Sequence, residues 1–127
     1  MHRKDIGYNR AMIEIKNTTV FRQLFKVPVD SDLIEMTAWI EDRFPGVVIT
    51  CGFEQRDYPS VHSTNPLRGL DIRSRHLSDP EAVCRRINRE WIYDPDRPHK
   101  KCAVYHDAGR GRHIHLQTHV NTRFTGR

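Results

Sequence analysis

The chain has 127 residues, a formal charge of +5 at neutral pH and only 37% hydrophobic residues. That length supports one core rather than two, which predicts a single domain over 1–127 with 1–29 as an N-terminal extension. No apolar run nears the roughly 18–20 residues of a membrane span, and three cysteines at unrelated spacings (Cys51, Cys84, Cys102) argue against a disulfide framework or a zinc ribbon.

The opening Met1-His2-Arg3-Lys4-Asp5 carries charge but no apolar stretch behind it. The expectation is a chain without an export signal, cytoplasmic as synthesised. Met12 to Lys16 and Phe25 to Val29 alternate or are β-branched, with Asn17-Thr18-Thr19 as turn material between them. They predict a hairpin or a pair of edge strands. Asp30-Ser31-Asp32 is a helix start, with capping oxygens at the positive end of the dipole. The helix runs to about Phe44, with Leu33, Met36, Ile40 and Phe44 as its stripe, Glu41 outside it, and Pro45-Gly46 as the stop.

Val47 to Thr50 is a short β-branched run between glycines, a buried strand. A polar loop carrying Glu54, Arg56, Asp57 and His62 follows. Gly69 to Arg73 is the next strand, with Leu70 and Ile72 on one face and Asp71 on the other. Ser78-Asp79-Pro80-Glu81 has capping-box spacing and an early proline, so a second helix starts there. Val83, Ile87 and Trp91 form its stripe and Asp94-Pro95-Asp96 its end. Lys101 to His106 and the stretch from Gly111 pair antiparallel across Asp107 to Gly111. The expected fold is α+β: a small antiparallel sheet with two main helices on one face and the chemistry on the other.

The last strand is the informative one. In Gly111 to Val120, a period of two puts Ile114, Leu116, Thr118 and Val120 on one face and His113, His115, Gln117 and His119 on the other. Imidazole is the commonest protein metal ligand, and two at i and i+2 project into one space. The pattern points to a metal site completed from upstream; a polar solvent face is the plainer reading of the same residues. His2, His76 and His99 sit in charged connectors and read as solvated. His119, near the strand end, reads as exposed or as a partner to a ligand.

The order of these features resembles the LAS group of zinc metallopeptidases, the M15-type D-alanyl-D-alanine peptidases with their endolysin and Hedgehog-like relatives. The likeness rests on Val47-Val48-Ile49-Thr50-Cys51-Gly52-Phe53, on His62 with Gly69-Leu70-Asp71-Ile72, and on His113-Ile114-His115, spanning about residues 31 to 117. The resemblance implies Zn2+ held by His62, Asp71 and His115, with His113 beside the metal to hydrogen-bond the substrate. Two imidazoles and a carboxylate leave a fourth tetrahedral position for water. It further implies hydrolysis of a peptidoglycan-type peptide or amide bond, and it suits a phage product.

The chain departs from the family pattern in three places. Eight residues rather than six separate His62 from Asp71, Glu54 stands where the family has arginine, with Arg56 two residues on as its substitute, and Arg112 occupies the position of the usual glutamate base. Arginine cannot take a proton from water at neutral pH. Glu54, Asp107 and His106 are the alternatives as base.

Two other classes compete. A chain that has lost the base and arginine reads as a metal-binding structural or binding module. His-hydrophobic-His on a strand also suits an HUH-type single-strand DNA endonuclease, with Tyr8 or Tyr93 as nucleophile. The basic residues are dispersed in clusters such as Arg85-Arg86, Lys100-Lys101 and Arg110 to Arg112, which a solvated surface explains better than a nucleic-acid interface.

Overall fold

The computed structural model describes residues 12–107, 109 and 111–126. Helix α2 (Ser31–Arg43) begins where the acids predict, with the Asp30 carboxylate accepting the Leu33 N–H at 3.2 Å. Its stripe of Leu33, Met36 and Ile40 is buried, each side chain contributing roughly 1.5–3 kcal/mol. Glu41 departs from the periodicity: it is 3% exposed, not on the outer face. Its carboxylate accepts the N–H groups of Gly46 and Val47, so burial leaves no polar atom stranded there.

Helix α3 (Pro80–Glu90) is capped by Asp79, which accepts the Ala82 N–H, rather than by Ser78. It ends before the Asp94-Pro95-Asp96 signal. Trp91 has left the helix at φ −121 and ψ 120 and opens the two-residue strand β4 (Trp91–Ile92). β4 pairs with β7 (Arg123–Phe124), which packs Phe124 against Trp91 and Trp39.

The N-terminal hairpin does not form. Only Glu14–Ile15 is a strand (β1), and Asn17, expected in a turn, instead caps helix α1 (Thr18–Leu24) by accepting the Val20 N–H. The cap satisfies an orphan helix donor and buries Val20, which outweighs the β preference of Thr18, Thr19 and Val20. Val29 reaches no more than an isolated bridge to Leu67.

The remaining strands are β2 (Val48–Cys51), β3 (Gly69–Arg73), β5 (Ala103–Asp107) and β6 (Arg112–Gln117). They form a five-stranded sheet in the order β1-β2-β3-β6-β5, antiparallel except that β1 runs parallel to β2. The fold is therefore α+β, as expected. No helix among the described residues is long and apolar enough to cross a membrane.

Strand alternation gives the sheet two unlike faces. Ile49, Leu70, Ile72, Ile114 and Leu116 join the apolar side chains of α2 and α3 in one core. The opposite face carries Asp71, Arg73, His113 and His115, and burial there is only partial. Val120 belongs to neither face. It is 69% exposed, because β6 ends at Gln117 and the chain has turned before the alternation reaches it.

Candidate metal centre

Three adjacent strands and one tight turn bring the site together. Across the β3–β6 ladder Asp71 stands opposite His115 and Arg73 opposite His113, while across β5–β6 His106 stands opposite His113. His62 arrives on a 3-10 turn, Val61–Ser63, capped by the Ser60 hydroxyl that accepts the His62 N–H. The turn lies flat on β3 because residue 69 is glycine: a Cβ there would stand 2.4 Å from Val61 Cγ2 and 3.1 Å from its carbonyl carbon. The eight intervening residues are accommodated by a path through a cis Asn65–Pro66 bond and the buried Leu67.

Asp71 is the centre of the group. Its Oδ1 lies 3.0 Å from His115 Nδ1 and 3.3 Å from His62 Nε2, and its Oδ2 lies 3.5 Å from His113 Nε2. The outer nitrogens of the two closest rings are committed elsewhere. His62 Nδ1 is 2.9 Å from the Gly52 carbonyl, which can only accept, so that nitrogen carries a proton. Gln117 donates its amide N–H to the Lys101 carbonyl, which turns its Oε1 toward His115 Nε2 at 3.1 Å. That nitrogen too must be the donor.

A neutral ring protonated on its outer nitrogen presents a bare lone pair inward. Both His62 Nε2 and His115 Nδ1 would then point lone pairs at a carboxylate oxygen. Only a positive charge between them relieves that, whether extra protons on the rings or a metal cation. The metal-free group takes the proton. Burial opposes charging His62, yet its hydrogen bonds to Asp71 and Cys51 and the charge of Asp71 raise its pKa to about 10. Burial likewise opposes ionising Asp71, and hydrogen bonds from His115 and His62 overcome it, holding the carboxyl below its usual range.

Cys51 also approaches His62, its Sγ 3.8 Å from Nδ1. Among the described residues, Cys51, His62 and Asp71 form a largely buried triad that could hold a metal ion, with one ligand atom from each all within 4.8 Å of one another. The donor chemistry of the whole group is mixed imidazole, carboxylate and thiol, which suits a borderline cation such as Zn2+ and not Ca2+ or Mg2+.

A cavity of about 340 Å³ opens over this group. Arg56 lies in its wall, its guanidinium bonded to Glu54, Tyr58 and Ser60. Burial works against that charge, and the hydrogen bonds to Glu54 and Tyr58 more than restore it. Glu54 itself faces Arg56 rather than the cavity. Asp107 accepts the Gly109 and Gly111 N–H groups in the turn. His106 lines the cavity, 4.8 Å ring to ring from His113 and 5.6 Å from His115, with a buried Nε2 that has no partner among the described residues.

His119 points away, toward Asp94 and Tyr93. Tyr93 is buried along the cavity and stacks on His119, while Tyr8 lies outside the described residues. Sequence reasoning missed Cys51 as a candidate ligand and Gln117 as the partner of His115. The second was visible, since Gln117 is two residues on and shares the strand face.

Comparisons with protein-family models, with curated proteins and with solved structures each find no match to this chain. The likeness to zinc peptidases rests on the quoted motifs alone.

Proposed function

We propose that this protein is a metal-dependent hydrolase of a peptide or amide bond of peptidoglycan type, with Zn2+ held by His62, Asp71 and His115. The observation that carries the reading is the pair of inward lone pairs, His62 Nε2 and His115 Nδ1, converging on one oxygen of Asp71 with both outer nitrogens fixed as donors. Outer partners of this kind orient metal-ligating histidines in general. The Cys51 thiol lies 3.8 Å from His62 Nδ1, the nitrogen whose proton goes to the Gly52 carbonyl.

Such an ion supplies a Lewis acid that activates water and polarises a carbonyl. The chain's own groups do the rest. His113, 3.5 Å from Asp71, stands beside the ion to hydrogen-bond the substrate or the intermediate as negative charge gathers on the carbonyl oxygen. Arg56 is held charged in the cavity wall and adds to that stabilisation. His106 is the base. Burial, then the charges of His113 and His115, lower its pKa, so it is neutral at pH 7 and able to accept a proton from water. It supplies what Arg112 cannot.

The test is zinc stoichiometry on untagged protein, followed by hydrolysis of muropeptide-type peptides. The expected result is one ion per chain and turnover that disappears in His115→Ala and falls by about 10²–10⁴ in His106→Ala. One ion with no turnover on any such peptide would identify a binding module instead. Cleavage of single-stranded DNA, lost in Tyr93→Phe, would select the nuclease reading.

A further inference from the structure

A second cavity adjoins the metal centre. It measures about 280 Å³ and shares Asp71 and His113 with the histidine cavity, so the two meet at the centre itself. Lys16, Arg73, Arg75 and Arg112 line it. We infer that this groove is an anion-binding subsite that holds a carboxylate or phosphate group of the substrate beside the bond cleaved. The inference rests on the hydrolase reading for what that group belongs to, but anion binding itself does not need turnover.

Lys16, Arg73 and Arg75 share one small groove, and among the described residues no carboxylate pairs with any of them. Asp71, which lines the groove, is engaged with the histidines, and Asp107 with backbone N–H groups of its turn. Arg112 meets the groove at its rim, with its guanidinium stacked on Tyr105 at 5.2 Å, a residue that packs against the core. Like charges gathered this closely repel one another, and in a concave site they focus a positive potential.

Register makes the placement specific. Arg73 stands opposite His113 across β3–β6, on the sheet face that carries Asp71 and His115. An anion bridging Arg73 and its neighbours therefore lies one residue pair along the ladder from the metal centre. At Gly111 the rim carries no side chain, and none of the described residues comes within 4 Å of where its Cβ would be. The volume fits one carboxylate or phosphate with a few attached atoms, and the three cations form a pocket rather than a track for a polymer backbone. Guanidinium forks suit either oxyanion.

The experiment is an NMR titration of the full chain, metal-free and zinc-loaded, following arginine Nε–H and histidine ring signals. Inorganic phosphate is one probe; a dipeptide with a free terminal carboxylate and its C-terminal amide are the others. Saturable shifts at Arg73, Arg75 and His113 are expected, weakened about tenfold in Arg73→Gln and in Arg75→Gln. Arg85→Gln, on the exposed side of α3, leaves them unchanged. Response to the dipeptide but not its amide identifies a substrate carboxylate; response to phosphate alone identifies a phosphate-bearing substrate. The binding persists in His115→Ala, so loss of the metal reading and loss of this one are told apart. No saturable shift with either anion, equal weakening in Arg85→Gln, or tighter binding of a single-stranded oligonucleotide than of either small anion overturns the inference.

Discussion

The Gly52 carbonyl takes the Nδ1 proton of His62 at 2.9 Å and so decides which nitrogen of that ring faces Asp71. Helix α1 holds Gly52 in place: the Gln23 side chain accepts its N–H at 2.9 Å, and a Cβ on Gly52 would meet Leu24 Cδ2 at 3.0 Å. An unforeseen helix thus reaches the site through one carbonyl.

Metal binding should release a proton and strengthen as pH rises. The His62 pKa is raised from 6.5 to about 10 in the metal-free group, so its contribution to stability is full below pH 6.5 and fades as pH climbs toward 10. Asp71 is lowered from 3.8, so its share is present above that value and lost as pH falls below it. The metal-free protein is therefore best stabilised by this pair between about pH 4 and 6.5. Zinc displaces the His62 proton, and calorimetry at pH 7 in buffers of different ionisation enthalpy should show at least one proton released per ion. Release of none would sink the ligand assignment.

The two candidate ligand sets make opposite predictions. If His62, Asp71 and His115 hold the ion, His115→Ala should weaken zinc by more than about 100-fold while Cys51→Ser changes it by less than a few fold. Competition with a chromophoric chelator reads both. The reverse order would assign the ion to Cys51, His62 and Asp71.

Gln117→Leu removes the acceptor of His115 Nε2 without touching a ligand. Freed of that bond, the ring can turn and change tautomer, and zinc affinity should drop about 10–100-fold. Circular dichroism should be unchanged, since Gln117 is only half-buried at the end of its strand. Affinity equal to that of the parent protein would show that packing alone orients the ring.

Gly69→Ala tests the placement of His62. The new Cβ meets the Val61 side chain and backbone, so the 3-10 turn must lift off β3. We expect destabilisation of about 1–3 kcal/mol in denaturant unfolding, with weaker zinc binding as His62 moves from Asp71. Unaltered binding at reduced stability would mean that the turn repacks without carrying His62 away.

Much of the scaffold was legible in the chain. Asp30 with Pro45-Gly46 bounded α2, Gly69 to Arg73 was read to the residue, and strand alternation placed Asp71 opposite Leu70 and Ile72 and paired His113 with His115. These are local facts, set by caps, breakers and a period of two. The misread parts were those where a side chain found a distant or unexpected partner: Asn17 capping α1, Glu41 buried by the amides of the following turn, Trp91 leaving its helix to pair with Phe124.

Tertiary structure alone decided the site. Residues 62, 71 and 115 meet because β3 lies between β2 and β6 and because a glycine lets the turn lie against it. No spacing encodes that Gly52 holds the outer nitrogen of His62, that His106 comes within reach of His113, or that Arg73 shares a groove with Lys16. Periodicity tells which face a side chain leaves from. Which other side chains share that space depends on strand order and register, and those are set by how the whole core packs.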